Sequence, residues 1–280
     1  MNIRTLENTT VSEITATFNA AFESYFIPLV FTEESMATKI RSEGIQLNYS
    51  VGAFENNKLV GFILHGYDVI NGVKTIYNAG TGVVATHRGR GITEALYNYV
   101  IPLLANEGIY SHQLEVIDNN LPAKHVYEKL GFTSSITLQA FRGKPLLAQN
   151  ENYVVRYLDE IPEEISSFAN MEAAWQNSLA SVQRDLNGHR LIGVYAGDSL
   201  VGFAAFIPAT GRIKQLLVHP QYRRQGIGKT ILSFVAANST APQLVVTNVD
   251  ESYKPAFRFL QSAGFEGFLR LYEMRMQVNT

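Results

Sequence analysis

Two stretches of the chain combine glycine and arginine in a way that could bind phosphate. Residues 82–93 read GVVATHRGRGIT and residues 217–228 read LVHPQYRRQGIG, and each leads from an apolar segment into a helical pattern. Glycine permits a tight turn and a close approach of backbone to a ligand, while a helix start presents unpaired N–H groups and a positive dipole end. Each stretch is therefore a candidate cradle for a phosphate-bearing cofactor.

The spacing excludes two common phosphate-binding loops. Gly228-Lys229-Thr230 could end a nucleoside-triphosphate loop, but Arg223 stands where that loop needs its first glycine. The dinucleotide pattern Gly-x-Gly-x-x-Gly fails as well, because Glu94 follows Gly91 at the third position and no glycine follows Gly228 at the required place.

Both stretches instead match the pattern Arg-x-x-Gly-x-(Gly or Ala). The match is complete from Arg223 to Gly228, whereas Thr93 replaces the last small residue in the first copy. The pattern resembles the pyrophosphate loop of the GNAT superfamily of acetyl-CoA-dependent N-acetyltransferases. The resemblance implies that acetyl-CoA binds there and that backbone of the preceding strand pairs with its pantetheine arm. The residues implied in the first copy are Val83, Val84, Arg88, Gly89, Arg90, Gly91, Ile92 and Thr93. The second copy supplies a further candidate set, Val218, Arg223, Arg224, Gln225, Gly226, Ile227 and Gly228.

A second motif follows the first loop at residues 114–132, LEVIDNNLPAKHVYEKLGF. It is similar to the second signature of that family, Leu-Glu-Val and then Asn-x-x-Ala-x-x-x-Tyr-x-x-x-Gly-Phe. The resemblance implies that Tyr127 protonates the departing thiolate and that Asn120 hydrogen-bonds the cofactor arm. In the ribosomal-protein alanine N-acetyltransferases, which this segment resembles, the glutamate at the place of Glu115 acts as the general base.

Each of these residues also has a purely structural interpretation. Tyr127 could pack its ring beside Val126 and Leu130, Glu115 could pair with a cation or with backbone N–H groups, and Asn120 could cap a helix. For Asn120 both roles can hold together.

The second half of the chain lacks the catalytic pair. When it is aligned on its Gly-Phe pair, Leu260 takes the place of Tyr127, Asn248 that of Glu115 and Tyr253 that of Asn120. We therefore expect chemistry in the first half. Three roles stay open for the second half: binding of acyl-CoA without turnover, completion of an acceptor cleft, or packing.

The order of predicted elements repeats along the chain. Thr10 and Glu13 have the spacing of a helix capping box, and residues 59–62 (LVGF) recur as residues 200–203. We predict an α/β (α+β) protein with two tandem GNAT-like acyltransferase domains, each a mixed, mostly antiparallel sheet flanked by helices. The predicted domains are residues 1–143, which carry the chemistry, and residues 153–280, which are degenerate, joined by a linker at residues 144–152.

Composition narrows the class of protein further. The 280 residues carry a formal net charge of −2 without long charge runs, so no nucleic-acid or membrane partner is expected. The absence of cysteine excludes disulfides and a thiol nucleophile, and the six histidines lack paired ligand spacing, so no metal site is expected. The N-terminus does not resemble a signal peptide and no apolar run spans a bilayer, which predicts a cytoplasmic protein.

The predicted activity is N-acetylation by direct attack of a primary amine on acetyl-CoA. The acceptor could be a small-molecule amine or a peptide N-terminus, because the loops at residues 25–30 and 68–74 that should face it carry no recognisable pattern. One alternative is a non-catalytic acyl-CoA-binding or sensing protein, which would not need Glu115 and Tyr127 together. The other is a structural pair of domains without cofactor, against which the two arginine-glycine loops argue.

Overall fold

The computed structural model describes residues 1–23, 25–27, 29–145 and 152–278, and the chain divides into two compact units. The first unit comprises Met1–Ser135 and Tyr272–Thr280, and the second comprises Ile136–Leu271. Most of the predicted linker, residues 146–151, lies outside the described residues.

The elements follow the order that the sequence predicts. The helices are α1 (Val11–Phe22), α2 (Glu33–Ser42), α3 (Ile92–Asn106), α4 (Leu121–Lys129), α5 (Leu179–Arg184), α6 (Ile227–Ala237) and α7 (Lys254–Ser262). The strands are β1 (Asn2–Thr5), β2 (Val51–Glu55), β3 (Lys58–Ile70), β4 (Val73–Val83), β5 (Ser111–Ile117), β6 (Thr133–Gly143), β7 (Val154–Leu158), β8 (Arg190–Ala196), β9 (Ser199–Ile207), β10 (Arg212–Val218), β11 (Leu244–Asp250) and β12 (Phe265–Gln277).

Helix α1 begins after Thr10, which caps its N-terminus as the sequence predicts. The Thr10 side chain accepts a hydrogen bond from the N–H of Glu13 at 3.2 Å, which satisfies one of the open donors of α1. The Glu13 carboxylate does not reach back to the cap, as it would in a full capping box. It accepts the backbone N–H of Leu59 at 3.1 Å instead, and so ties α1 to β3.

The sequence from Pro162 to Leu186 predicts helical structure, but the segment is mostly not α-helical. It contains 3₁₀ segments at Glu163–Phe168 and Trp175–Asn177 and only the short helix α5. Because 3₁₀ turns bury their side chains as helices do, the apolar spacing alone did not separate the two.

Each unit has a mixed, mostly antiparallel sheet flanked by helices, which confirms the predicted fold class. In the first unit the strand order is β1-β2-β3-β4-β5-β12, and β4 and β5 are parallel. In the second the order is β6-β11-β10-β9-β8-β7, and β10 and β11 are parallel. In each unit a crossover helix, α3 or α6, makes the parallel pairing possible.

The parallel pair of each unit separates part-way along. In the first unit β4 pairs with β5 only as far as Asn78 and Leu114, although β4 continues to Val83. The register against β3 shifts at this point, leaving Ala79 as a β-bulge, and a bulge bends and twists its strand. The second unit repeats the arrangement, with the last pair at Ile213 and Val246 and the bulge at Lys214. An opening between two strands results in each unit.

The repeated LVGF segment owes its glycine to the packing of the crossover helix. A Cβ on Gly61 would lie 3.0 Å from the Ile92 side chain, and one on Gly202 would lie 2.7 Å from Ile227. Each of these isoleucines is the first residue of its helix, so the glycine lets the helix start lie directly on the sheet.

The two units divide the chain differently from the predicted boundary at residue 143. Residues 136–143 of β6 pair with β11, for example Phe141 with Val246, and belong to the second unit. Conversely, the end of β12 belongs to the first unit, where Met274 and Met276 join the core cluster. Glu273 is buried there and accepts a hydrogen bond from Gln113 of β5 at 2.8 Å. Sequence order does not reveal such pairing, because the partners lie far apart in the chain.

Two buried histidines lie in the first unit. Burial lowers the pKa of His65 to about 3 and that of His112 to about 4. The Nδ1 of His65 lies 2.9 Å from the Tyr49 carbonyl, whereas neither ring nitrogen of His112 has a hydrogen-bond partner within the described part of the chain. Both rings are therefore neutral in the folded protein at neutral pH.

In the described ranges, no helix is long and apolar enough to cross a membrane.

The core position of Met274 gives a first prediction. Met274→Ala should lower the free energy of unfolding by about 2–5 kcal/mol, because it leaves a cavity in the first unit's core. Urea denaturation followed by near-UV circular dichroism would measure the change. Met171→Ala, at a side chain that is 37% exposed, is the matched control and should stay within about 0.5 kcal/mol of wild type. Equal midpoints for the two variants would contradict the placement of β12.

The buried histidines predict a pH dependence. His112 is uncharged when folded but takes up a proton when unfolded below its ordinary pKa of 6.5, so stability should fall as the pH drops from 6.5 towards about 4. His112→Leu should reduce this loss by about 1–3 kcal/mol between pH 7 and pH 4, measured by urea denaturation at each pH. The exposed His125, replaced by Asn, serves as control. An unchanged slope in His112→Leu would show that the ring is not buried as described.

Candidate active site

A polar cluster marks the point where β4 and β5 separate. The Asn78 Nδ2 donates to Thr81 Oγ1 and to the Tyr97 hydroxyl, both at 2.7 Å, and its Oδ1 accepts the N–H of Gly80 at 3.0 Å. The amide thus bridges the Ala79 bulge and holds it in shape.

Tyr127 joins this cluster from α4. Its ring packs edge-on against Tyr97 and Phe132 at centroid distances of 6.1 and 5.8 Å. Burial raises the pKa of Tyr127 to about 12, against the opposing effect of the nearby Thr81 and Asn78 side chains. The ring therefore fills the core, as the structural interpretation requires, while the hydroxyl keeps its proton at neutral pH beside the opening.

Glu115 comes directly after Leu114, the last residue of β5 that pairs with β4, and is half-buried. The Tyr77 hydroxyl donates to its Oε2 at 3.2 Å. Leu114 and Val116 pack in the same core cluster as Tyr127. Because successive strand residues face opposite sides of a sheet, Glu115 points to the face away from that cluster. The predicted base and acid thus approach the opening from opposite faces.

Asn120 has the capping role that the sequence allowed. Its Oδ1 accepts the N–H of Ala123 at 3.3 Å at the start of α4, and its Nδ2 contacts the Tyr25 hydroxyl at 3.4 Å. Tyr25 is half-buried and packs edge-on against Phe22 and Phe26. Burial raises the pKa of Tyr25. From the sequence, Tyr25 could either line the acceptor site or fill a core. The contact of its hydroxyl with Asn120 places it beside the candidate site.

The first glycine loop has a concave backbone. Gly89 and Gly91 are left-handed, with φ of 73° and 70°, and a Cβ at either would meet no atom within 4 Å. Helix α3 begins at Ile92 with no side-chain hydrogen bond at its cap, so among the described residues no side chain satisfies its first N–H groups. The Ile92 side chain is buried and Thr93 is half-buried at this helix start. These features fit a phosphate-bearing ligand.

The two loop arginines bond to backbone carbonyls. Arg88 Nε donates to the Val83 carbonyl at 3.1 Å, and its Nη2 donates to the Ala21 carbonyl at 2.7 Å. Arg90 Nη2 donates to the Thr86 carbonyl at 3.0 Å. Sequence reasoning placed both arginines on the cofactor and had no signal for these carbonyl contacts.

Of the two predicted strand residues, Val83 is the better placed for a ligand. The Val84 N–H donates to the Val60 carbonyl at 3.0 Å and is thus used within the sheet. Val83 is paired with Gly61, and in an antiparallel ladder its N–H then points away from β3, towards the opening.

The second loop repeats the backbone of the first. Arg224 and Gly226 are left-handed, with φ of 65° and 91°, and α6 begins at Ile227. Arg223 Nε donates to the Val218 carbonyl at 3.1 Å, and its Nη2 donates to the Phe168 carbonyl at 2.8 Å. Gln225 Nε2 donates to the Gln221 carbonyl at 3.3 Å.

The glycine at position 228 has a packing reason. A Cβ there would lie 2.8 Å from the Phe259 ring of α7, and the first unit has Thr93 and Val126 at the two corresponding positions. The more complete motif of the second loop is therefore explained by its aromatic neighbour.

The opening of the second unit is crossed by its own chain. The Lys214 ammonium and the Gln215 amide donate to the carbonyls of Gln176 and Asn177, and Asn177 Nδ2 donates to the Thr247 carbonyl at 2.7 Å. Arg212 Nη2 adds a bond to Thr247 Oγ1 at 3.1 Å. Residues 176–177 thereby bridge β10 and β11 where the strands part.

Strand register corrects one correspondence between the halves. Thr247 follows the last residue of β11 that pairs with β10, as Glu115 follows the last residue of β5 that pairs with β4. Thr247 and not Asn248 therefore takes the place of Glu115. Asn248 has a left-handed φ of 58° and lies at a register shift against β6, which adds one residue to the strand. The conclusion for chemistry is the same, because Leu260 is buried where Tyr127 stands.

Comparison with known proteins supports the resemblance seen in the motifs. The model of the acetyltransferase (GNAT) family matches residues 13–132 and 153–265, which together exceed half of the chain. No curated protein matches.

Several solved structures share the fold. A tandem GNAT protein from the clavulanic acid biosynthesis pathway is 15% identical with a TM-score of 0.78, covering 100% of this chain and 99% of that one. A GCN5-related N-acetyltransferase from Sphaerobacter thermophilus is 15% identical with a TM-score of 0.70, covering 100% and 96%. The glucosamine N-acetyltransferase region of a fungal multi-domain GH3 β-N-acetylglucosaminidase is 13% identical with a TM-score of 0.74, covering 98% and 38%. At these identities the likeness concerns the fold.

Proposed function

Because the chain belongs to the acetyltransferase (GNAT) family, we propose that it is an N-acetyltransferase that moves the acetyl group of acetyl-CoA to a primary amine, with the reaction in the first unit. The observation that carries the proposal is the opening between β4 and β5, which Tyr127 and Glu115 approach from opposite faces beside the glycine loop. Acetyl-CoA would supply the thioester, with the backbone of the loop at residues 88–93 and of Val83 as its binding groups.

Glu115 is the base in this proposal. A primary amine must be neutral to attack a thioester carbon, and it loses a proton as the C–N bond forms. The Glu115 carboxylate accepts that proton, directly or through a water molecule. The Tyr77 hydroxyl orients the carboxylate by its bond to Oε2.

Tyr127 is the acid. As the C–S bond breaks, the sulfur gains a negative charge, and the Tyr127 hydroxyl donates its proton to it. The raised pKa of about 12 makes Tyr127 a weak acid. Burial in the opening would raise the pKa of the leaving thiol in the same direction, which lessens the difference between the two groups. The products are an amide and the free thiol.

The second unit supports binding or packing better than turnover. It keeps the loop geometry, but Thr247 and Leu260 replace the base and the acid, and residues 176–177 occupy its opening. A non-catalytic acyl-CoA-binding role thus stays the second candidate for this unit.

The acceptor is the open part of the proposal. Acetyl-CoA would be mixed with a panel of amines that includes glucosamine, amino acids, polyamines and short peptides with free N-termini, and released thiol would be measured. Turnover of at least one amine is expected. Binding of acetyl-CoA without turnover of any amine would favour the acyl-CoA-binding alternative.

The location of the cofactor site gives a prediction for calorimetry. Gly91→Glu should abolish acetyl-CoA binding to the first unit, because it places bulk and negative charge in the loop, whereas Gly226→Glu should leave that binding intact. Gly72→Glu is the matched control, since Gly72 has φ +80 and open space at a hairpin tip away from the loop. Loss of binding only with Gly226→Glu would move the working site to the second unit.

The role of Tyr127 gives a kinetic prediction. Tyr127→Phe should lower kcat about 100-fold by removing the proton donor, with a smaller effect on acceptor KM. With the pKa near 12, Tyr127 should contribute no alkaline loss of activity below about pH 11. Tyr99→Phe, at an exposed position of α3, is the control. Unchanged turnover in Tyr127→Phe across pH would rule out the proposed acid.

A further inference from the structure

We infer that Arg88 is a positioning residue that holds the end of α1, and with it the Tyr25 hydroxyl, at the opening of the first unit, and that it is not chiefly a phosphate ligand. This inference rests on the proposed function. Arg88 would connect the cofactor loop to the end of α1 and the loop at residues 25–30, which is expected to face the acceptor.

The guanidinium of Arg88 clamps two distant backbone segments. Its Nε and Nη2 donate to the carbonyls of Val83, at the end of β4, and Ala21, in the last turn of α1. The last carbonyls of a helix have no partner within the helix, and a cation is favourable at that end. Two donors of the planar guanidinium are thereby committed, which sets the plane of the group.

The end of α1 in turn places Tyr25. The Tyr25 N–H donates to the Phe22 carbonyl at 3.1 Å, and the two rings meet edge-on at 4.9 Å. At its other end the Tyr25 hydroxyl lies 3.4 Å from Asn120 Nδ2 and near enough to Tyr127 for a charge on one to affect the other. Contacts therefore run from the cofactor loop through the end of α1 to Tyr25 and on to Asn120 at the start of α4, the helix that carries the proposed acid.

The second unit provides an independent reason to assign Arg88 a structural task. Arg223 forms the same two bonds, to Val218 and to Phe168 at the end of a 3₁₀ segment, at distances within 0.1 Å of those of Arg88. Its loop has neither the acid nor the base nearby. A clamp that persists without the catalytic pair belongs to the architecture of the loop.

Arg88→Lys tests the inference, because lysine keeps the positive charge but its single ammonium cannot copy the planar two-carbonyl clamp. The Tyr25 amide should exchange hydrogen about tenfold faster, since its anchor is lost. The dissociation constant of CoA should change less than about threefold, and kcat/KM for the amine should fall about tenfold or more. The fall should be equal with acetyl-CoA and with S-acetylpantetheine, which lacks the pyrophosphate.

Two results would overturn the inference. One is that Arg88→Lys loses CoA affinity tenfold or more while hydrogen exchange at the Tyr25 amide is unchanged. The other is that Arg88→Lys turns over S-acetylpantetheine as fast as the wild-type protein does. Arg4→Lys is the control for arginine replacement, because Arg4 stacks on the Phe54 ring of β2 at 4.1 Å and its guanidinium clamps no carbonyl pair within the described residues. Arg223→Lys loses the same two carbonyl bonds in the second unit, together with a bond to Asn170 Oδ1 at 3.2 Å, and sets an upper bound on the fall in melting temperature expected from loss of such a clamp.

The test separates this inference from the proposed function. Hydrogen exchange and CoA binding need no acceptor, so they decide the role of Arg88 even if the wild-type protein acetylates none of the amines tried. Absence of turnover in the wild type would count against the proposed function alone.

Discussion

The separation of a parallel strand pair at a β-bulge is the constraint on which both units depend. Parallel strands share evenly spaced hydrogen bonds, and a bulge on one of them ends that pairing and turns the strand aside. The bulges at Ala79 and Lys214 therefore leave backbone groups of two strands in need of other partners. Buried backbone groups are nearly always hydrogen-bonded, so something must fill the space between the strands.

The two units meet that need differently. At the bulge of the second unit, Lys214 and Gln215 draw in the carbonyls of residues 176–177, and Asn177 completes the bridge to β11. In the first unit the corresponding positions are Ala79 and Gly80, whose small size admits no such side-chain contact. A larger residue at the bulge thus closes one opening, and a smaller one leaves the other free of such a bridge, as the proposed reaction requires.

Several features could be predicted because they are local. The cap at Thr10, the left-handed glycines of the first loop and the start of α3 depend on residues within a few positions of each other. The counterpart of Glu115 was assigned one residue too far, to Asn248, because a bulge inserts a residue without changing the motif spacing. The role of Tyr25 could not be predicted, because an aromatic-rich loop is as typical of a hydrophobic core as of an acceptor-binding site.

The sequence by itself determined the family and the tandem duplication, and it singled out the half that carries the proposed acid and base, since these follow from residue types at short spacing. Only the tertiary structure decided that Arg88 bonds to the Ala21 carbonyl, that Met274 completes the first unit, and that Glu115 and Tyr127 lie on opposite faces. The physical reason is that hydrogen bonding and core packing join segments distant in the chain, and a pattern of neighbours does not say which distant segments meet.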